Sequence, residues 1–335
     1  MIRKIALEWD SMCEKGYWIG FDLGGTKMLA AAYDENYSQL SREKKRTKAL
    51  EGAEVVVERV LDTIRKVKSS CGREETELVG IGMAVPGTID LETGVVLEAP
   101  NLGWENVPLR TILEEEFGCP VVLGNDVDCG VYGEYANGSA RGACNVVGIF
   151  PGTGVGGGCV IDGMLLQGKR RTAMEIGHIP LYSGGPLDGA FREGTLETVA
   201  SRLAISAASA QAVFRGAAPN LKKEVGTDLA DIRSGILADS IRQGDKTVEK
   251  IVQHAVGYIG KAVVTLVHLF SPDRIVLGGG LVEAMPELFV EGTRRHAEKG
   301  VLKSFRGTYE IVAAELGDDA AIVGAAAWAR KKAEQ

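Results

Sequence analysis

Apolar residues in this 335-residue chain gather into short blocks that glycine closes. The first clear block is Trp18–Tyr33, WIGFDLGGTKMLAAAY. A run of largely apolar residues leads to Asp22; Gly24, Gly25, Thr26 and Lys27 follow, and Met28–Ala32 is apolar again. This pattern predicts a strand, a tight glycine turn and a second strand, because glycine lets the backbone bend sharply and approach a ligand. Gln39–Arg46 reads as a third strand. Val55, Val56, Arg59, Val60, Ile64 and Val67 mix an apolar stripe with charge at helical spacing, which predicts a helix from Gly52 to about Ser70. Leu78–Ala84 is a buried strand followed by the turn Pro86-Gly87, Val95–Leu97 a short strand and Pro100–Trp104 a loop. Leu109–Phe117 is a short acidic helix. Val121–Leu123 is a strand that ends at Gly124, Asn125 and Asp126, where a helix starts and runs to about Tyr135. The order βββαβαβα is that of an α/β unit.

The pattern then restarts. Val147–Ile161, VGIFPGTGVGGGCVI, is again strand, glycine turn, strand, with Gly148-Ile149 falling on Gly20-Phe21 and Gly152 on Gly24. This is an internal repeat of a supersecondary unit. After it come a strand at Met164–Leu166, a loop at Gly168–Gly194, a helical region at Thr195–Phe214, a linker at Arg215–Asn220 and helices at Asp228–Gly244 and Lys246–Phe270. Pro272–Leu277 is a strand ending in Gly278-Gly279-Gly280, and helix Leu281–Lys299 opens on those glycines. Tyr309–Ala313 is a last strand and Asp318–Lys331 an alanine-rich closing helix. The expected architecture is a duplicated α/β fold in two lobes, residues 1–135 with a closing helix in 318–335, and residues 136–317. A nucleotide would lie in the cleft between them, held by both glycine turns.

Composition narrows the function. A chain of this length suits two domains, and 45% hydrophobic with 25% charged residues is the balance of a soluble globular protein. The net charge of −7 argues against nucleic acid or an anionic membrane as main partner, and no apolar run is long enough to span a bilayer. The six cysteines are scattered, with no CxxC pair, and read as reduced thiols of a cytoplasmic protein. The N-terminus, MIRKIALEWDSMCEKG, lacks a signal-peptide core.

The glycine turns carry the candidate chemistry. Asp22 ends a strand at the mouth of the first turn, a place to meet a metal ion. Gly25, Thr26 and Lys27 offer backbone N–H groups, a hydroxyl and an ammonium, a set suited to phosphate oxygens. The plain alternative is a hairpin with a polar turn, and for Lys27 a solvated strand charge. Gly278–Gly280 reads either as a tight strand-to-helix turn or as a backbone cradle facing a nucleotide. For Asp126, between a strand and a helix, the plain role is a helix N-cap.

DLGGTK at Asp22–Lys27, VPG at Val85–Gly87, APNLGW at Ala99–Trp104 and GND at Gly124–Asp126 form an ordered set with GTGVGGG at Gly152–Gly158. EIGH at Glu175–His178, LE at Leu196-Glu197, IVLGGG at Ile275–Gly280 and LGDDAAIVGAA at Leu316–Ala326 complete it. With these motifs, from Trp18 onward, the chain resembles the ROK group of sugar kinases, repressors and open reading frames, within the sugar kinase, actin and Hsp70 ATPase superfamily. The resemblance implies a two-lobed actin-like ATPase (ribonuclease H-like) fold with an interlobe cleft, the closing helix packing on the first lobe. It implies an ATP- and Mg²⁺-dependent hexose kinase, with glucose the expected substrate. Asp126 falls on the catalytic base, since a carboxylate within hydrogen-bond reach can deprotonate the attacking hydroxyl. Gly87, Asn101, Asn125, Glu175, His178 and Glu197 fall on sugar-contacting positions. Gly24, Gly25, Thr26 and Lys27 would meet phosphates from one lobe and Gly152, Thr153 and Gly154 from the other, with Gly279 and Gly280 near adenine and ribose. Asp22 would orient Mg²⁺ through water. A homodimer or higher homo-oligomer is expected. The rivals are a kinase for mannose, fructose, N-acetylmannosamine or N-acetylglucosamine, and a non-catalytic sugar sensor that regulates transcription, against which the absence of a DNA-binding domain counts.

One departure stands out. Most members resemble one another in a structural zinc site built from the EIGH histidine and three cysteines. Here those three positions hold Asp188, Ala190 and Thr195. Zinc takes four N, S or O ligands in tetrahedral array, so no zinc is expected, and the loop is expected to rely on its own packing and on turns such as Gly184-Gly185-Pro186. The plain counter-reading is a degenerate, inactive site.

Overall fold

The computed structural model describes residues 16–73, 78–169, 173–228 and 230–335. The N-terminal segment read as lacking a signal peptide falls largely outside them, as do residues 170–172 of the Gly168–Gly194 loop. The chain divides into two compact units, Met1–Arg141 with Gln167–Thr172 and Asp318–Gln335, and Gly142–Leu166 with Ala173–Gly317.

The first unit contains β1 Tyr17–Leu23, β2 Lys27–Tyr33, β3 Gln39–Arg46, α1 Ala53–Ser70, β4 Leu78–Val85, β5 Thr88–Asp90, β6 Val95–Ala99, β7 Trp104–Val107, α2 Leu109–Phe117, β8 Val121–Asn125 and α3 Asp126–Asn137. Five strands form a sheet in the order β3-β2-β1-β4-β8. β1, β2 and β3 run antiparallel, whereas β1, β4 and β8 are parallel. β4, LVGIGMAV, is buried along its whole length, as a parallel strand covered on both faces must be. β3, QLSREKKR, alternates and exposes charge, which protects a sheet edge from pairing with another chain. α1 buries Val56, Val60, Ile64 and Val67.

In the second unit β9 Val146–Pro151, β10 Val155–Ile161 and β11 Met164–Leu165 precede α4 Glu197–Ala200, α5 Arg202–Phe214, α6 Pro219–Val225, α7 Ser234–Arg242 and α8 Lys246–Phe270. β12 Arg274–Leu277, α9 Gly280–Ala284, α10 Pro286–Gly300 and β13 Glu310–Ala313 follow. The sheet order is β11-β10-β9-β12-β13. β9, β10 and β11 are antiparallel, and β9, β12 and β13 parallel. This is the topology of the first sheet repeated, with both glycine turns at the same place in it.

Several local expectations need correction. Leu281–Lys299 is not one helix. Proline lacks an N–H and disfavours helical backbone at the residue before it, so Met285 leaves the helical region, at φ −142° and ψ 53°, and a new helix starts at Pro286. Pro219 likewise opens α6 inside the expected linker, and the helix expected from Asp228 begins only at Ser234. Within the expected loop Pro100–Trp104, Pro100–Leu102 is a 3-10 turn and Trp104 already opens β7, and β5, β6 and β7 form a separate three-stranded sheet.

The closing helix, Ala320–Ala333, packs on β1, β4 and α3 within the first unit. Its approach leaves no room for side chains. A Cβ at Gly20 would lie 1.8 Å from the Ile322 carbonyl oxygen, and one at Gly82 1.9 Å from that of Ala325. A Cβ at Gly133 in α3 would lie 2.1 Å from the Ala320 oxygen. Gly82→Ala should therefore cost about 1–3 kcal/mol, the usual penalty of overpacking. Gly235, in open space in α7, serves as the control, and its change to alanine should stabilise by about 0.4–1 kcal/mol. Calorimetry of both variants checks the contrast; a neutral Gly82→Ala would mean the helix does not sit this close.

Candidate active site

Parallel register places the first set of residues. Asp22 of β1 lies opposite Ala84 of β4, and Ala84 opposite Gly124 of β8. The strand ends at Asp22, Val85 and Asn125 thus form one line along the carboxyl edge of the sheet, where open α/β sheets bind ligands. The turn Gly24–Thr26 leaves β1 there. A Cβ at Gly25 would lie 3.0 Å from the backbone oxygen of Asn101, so the Pro100–Leu102 turn backs the glycine turn. Gly87 follows β4 with φ +94°, and a Cβ on it would meet Glu98, which accounts for glycine there on conformation and space alone.

Asn125 rather than Asp126 caps α3. Its side-chain oxygen accepts from the N–H groups of Val127 at 2.9 Å and Asp128 at 3.4 Å. The cap function considered for Asp126 is thus met by its neighbour, and the Asn125 Nδ2 remains for a ligand. Asp126 occupies the first turn, its Oδ1 accepting from Val127 N at 2.9 Å. Burial, followed by the charge of Asp126, pushes the Asp22 carboxyl up to about 7, with Lys27 opposing and Asp318 adding to the rise. A buried carboxylate whose proton affinity is raised by a neighbouring one offers a donor set that a hydrated dication would relieve, so the residues present fit Mg²⁺.

Lys27 is neither a bare solvated charge nor aimed only at a ligand. Its Nζ lies 2.5 Å from Asp318 Oδ2, with Lys44 Nζ 3.6 Å from the same oxygen. Hydrogen bonding to Lys27 is the main reason the Asp318 carboxyl sits below its ordinary range. An exposed pair of this kind is worth about 0–1 kcal/mol, so exchange of Asp318 for a phosphate oxygen costs little. Sequence reading misses Thr47. It is fully buried, its hydroxyl donates to Gly24 O at 2.5 Å and its N–H to Thr26 O at 2.9 Å. It pins the glycine turn from the end of β3, and only its position after a charged edge strand hints at this.

In the second unit the Gly152–Gly154 turn closes by a bond from Gly152 N to Gly154 O at 2.9 Å. Glu197 lies against it, since a Cβ at Gly154 would be 2.2 Å from Glu197 Oε2. That oxygen accepts from Val155 N at 3.0 Å, and Oε1 from Gly189 N at 3.3 Å. Glu197 therefore ties the turn to the loop beyond it as well as standing at an expected sugar position. Arg202, also missed, places Nη2 3.0 Å from Thr153 Oγ1 and adds a cation beside this turn. Glu175 and His178 flank a 3-10 turn, Ile176–His178, with Glu175 Oε2 4.0 Å from His178 Nε2. Gly279, with φ +81°, and Gly278 fit tightly against Pro151 and Phe150 at the end of β9. The helix they open, α9, is five residues long, so steric need explains these two glycines. Gly280 starts α9 with only Ser234 Oγ nearby, at 3.5 Å.

The residues at the zinc positions do not fit that metal. Ala190 offers no donor, the Thr195 hydroxyl donates to Asp188, and the described residues contain no cluster of three or more His, Cys, Asp or Glu that could hold an ion. No helix among them is long and apolar enough to cross a membrane.

Residues 18–332 match the model of the ROK family. The chain is 36% identical over 310 residues to the glucokinase of Thermotoga maritima, covering 92% of this chain and 95% of that protein. It is 27% identical to the xylose repressor of Caldicellulosiruptor bescii over 92% of this chain and 77% of the repressor. Among solved structures it is similar to a ROK family glucokinase from Streptomyces griseus in complex with glucose and AMPPNP, at 30% identity and a TM-score of 0.79, covering 94% of this chain and 100% of that one. The α/β architecture is accordingly that of the actin-like ATPase fold.

The Asp22 carboxyl gives a test in the metal-free protein. Its folded pKa of about 7 exceeds its ordinary value, so the stabilisation it provides is complete below about pH 4 and is lost as pH rises through 7. Asp22→Asn cannot ionise. Its gain in thermal midpoint over the parent should grow between pH 4 and pH 7 and then level off; a gain independent of pH would show that Asp22 is ionised throughout.

Proposed function

Because the chain belongs to the ROK family, we propose that it is an ATP-dependent hexokinase that phosphorylates the 6-hydroxyl of glucose, with Asp126 as general base. The observation that carries this reading is the division of labour at the start of α3. Asn125 supplies the cap, so the Asp126 carboxylate is not what starts the helix, and it stands beside Asp22 at the carboxyl edge of the sheet. A sugar hydroxyl within reach of Asp126 would lose its proton to the carboxylate as it attacks the terminal phosphorus of ATP. The transition state is loose, so positioning and charge neutralisation do most of the work. Gly24–Lys27 and Gly152–Gly154 would supply backbone N–H groups to the phosphates, with Lys27 and Arg202 adding positive charge. Asp22 would hold Mg²⁺ through water, and what the ion supplies is neutralisation of phosphate charge. Asn101, Asn125, Glu175, His178 and Glu197 would read the ring of hydroxyls, each of which both donates and accepts. Site groups left unpaired by a wrong epimer would reject it.

Likeness to glucokinases supports glucose over mannose, fructose and the N-acetylhexosamines. The likeness to a xylose repressor favours a second reading, a sugar sensor without turnover; the retained Asp126 and both glycine turns weigh against it. A coupled ADP-release assay over a panel of hexoses and N-acetylhexosamines should give the highest kcat/KM with glucose. Binding of a sugar without ADP release for any of them would establish the sensor. Asp126→Asn should lower kcat by about 10²–10⁴-fold with sugar affinity little changed, and a variant that keeps most of its turnover would remove Asp126 from the role of base.

A further inference from the structure

The carboxylate of Asp188 in the second unit gathers donors from four residues. Its side chain is completely buried. Oδ1 accepts from Ala190 N and Arg192 N, both at 2.9 Å. Oδ2 lies 2.9 Å from His178 Nδ1 and accepts from Thr195 Oγ1 at 3.2 Å, with Arg192 Nε 3.5 Å away. The backbone closes around it: Asp188 N donates to Arg192 O, Phe191 N donates to Asp188 O, and Leu187 bridges to Glu193. The short segment 187–195 is thus folded about one carboxylate, a firmer anchor than the glycine turn Gly184-Gly185 expected to hold the loop.

We propose that Asp188 is a positioning residue that replaces a tetrahedral metal: it organises the loop and fixes the ring of His178 so that Nε2 faces the sugar as a hydrogen-bond acceptor. The argument is one of donor and acceptor capacity. A carboxylate has about four lone-pair sites, and four donors, two backbone N–H groups, a hydroxyl and an imidazole, fill them. An ionised carboxylate only accepts, so His178 must donate from Nδ1. Burial works to raise the Asp188 carboxyl, but the bonds from Arg192 N, His178, Ala190 N and Thr195 outweigh it and hold it well below the ordinary range. In neutral imidazole the other nitrogen is then an acceptor. Nε2 lies 4.0 Å from Glu175 Oε2, a gap that a sugar hydroxyl at about 2.8 Å from each atom can bridge, donating to one of them. Metal-bound histidines are oriented by the same logic, one nitrogen held so that the ring is fixed; here the holder is a side chain of the protein.

That the ligand is a sugar rests on the reading in the preceding subsection, whereas the fixed tautomer does not. The test begins with long-range ¹H–¹⁵N spectra of the ligand-free protein, with the signal assigned by its loss in His178→Gln; the chain has four histidines, so the spectrum is sparse. His178 should show the Nδ1–H tautomer at pH 8, and an Nε2–H tautomer would overturn the proposal whether or not any variant folds. In Asp188→Asn the amide can turn its Nδ2 toward the ring, so His178 should change to the Nε2–H form. The KM for sugar should then rise by about tenfold or more, the equivalent of one hydrogen bond, while the KM for ATP stays near that of the parent. An unchanged tautomer, or equal rises in both KM values, would overturn the positioning role. Metal analysis of protein purified without chelators should find far less than one zinc per chain, and one tightly held zinc would overturn the replacement. If the parent releases no ADP with any sugar while His178 shows the Nδ1–H form, the hexokinase reading fails and the fixed ring stands.

Discussion

Parallel pairing in register is the constraint from which the candidate site follows. Once β1, β4 and β8 align Asp22 with Ala84 and Gly124, the chain must leave all three strands along one edge, and the glycine turn, Gly87 and the start of α3 are brought to that edge together. The second sheet repeats the arrangement, with Ile149 opposite Leu277 and Leu277 opposite Ala313. The Gly152 and Gly278 turns leave it from the same edge. Backbone geometry thus assembles two sets of N–H groups, and the side chains refine what the sheets have placed.

Much of this is legible in the sequence, for definite reasons. A buried parallel strand is apolar at every position, so β4 and β9 announce themselves, and a glycine turn between two apolar runs narrows the choice to a hairpin. The repeat is visible because both hairpins keep glycine at corresponding positions, Gly20 with Gly148 and Gly24 with Gly152. What the sequence hides depends on partners distant along the chain. Nothing near Thr47 reveals that its hydroxyl meets Gly24 O, nor near Lys27 that Asp318 waits 291 positions away. From the sequence Asp126 reads as the catalytic base with the helix cap as its plain alternative, and Asn125 as a sugar ligand; that Asn125 is the cap shows only in the structure, because choosing between adjacent Asn and Asp for one helix start requires the backbone angles. The short strands β5 and β7 carry too few residues for their periodicity to stand out. The break at Pro286 is different: proline marks it, and the apolar periodicity running across it masks the signal.

The loop around Asp188 shows how one structural task can be met by different chemistry. A metal gathers ligands by strong, nearly radial bonds; a buried carboxylate gathers donors by weaker bonds, and needs more of them. Here it has two peptide groups, a hydroxyl, an imidazole and a nearby guanidinium. Glu197 extends the arrangement, since its two oxygens join Gly189 of this loop to Val155 beside the second glycine turn. Within the second unit, therefore, the loop bearing the candidate sugar contacts and the turn suited to phosphate are fastened to each other by a single side chain.

The closing helix has a consequence for how the protein is made. Residues 320–333 lie with their backbone on that of β1 and β4, strands complete before residue 90. On the ribosome these strands emerge early, with Gly20 and Gly82 exposing bare sheet backbone where the helix will later sit. The second unit is continuous but for residues 167–172 and has all of its described strands and helices before residue 318, so it can finish folding while the first still waits. The unit whose synthesis starts first is therefore completed last, and during elongation the sheet face that the helix will cover stays open.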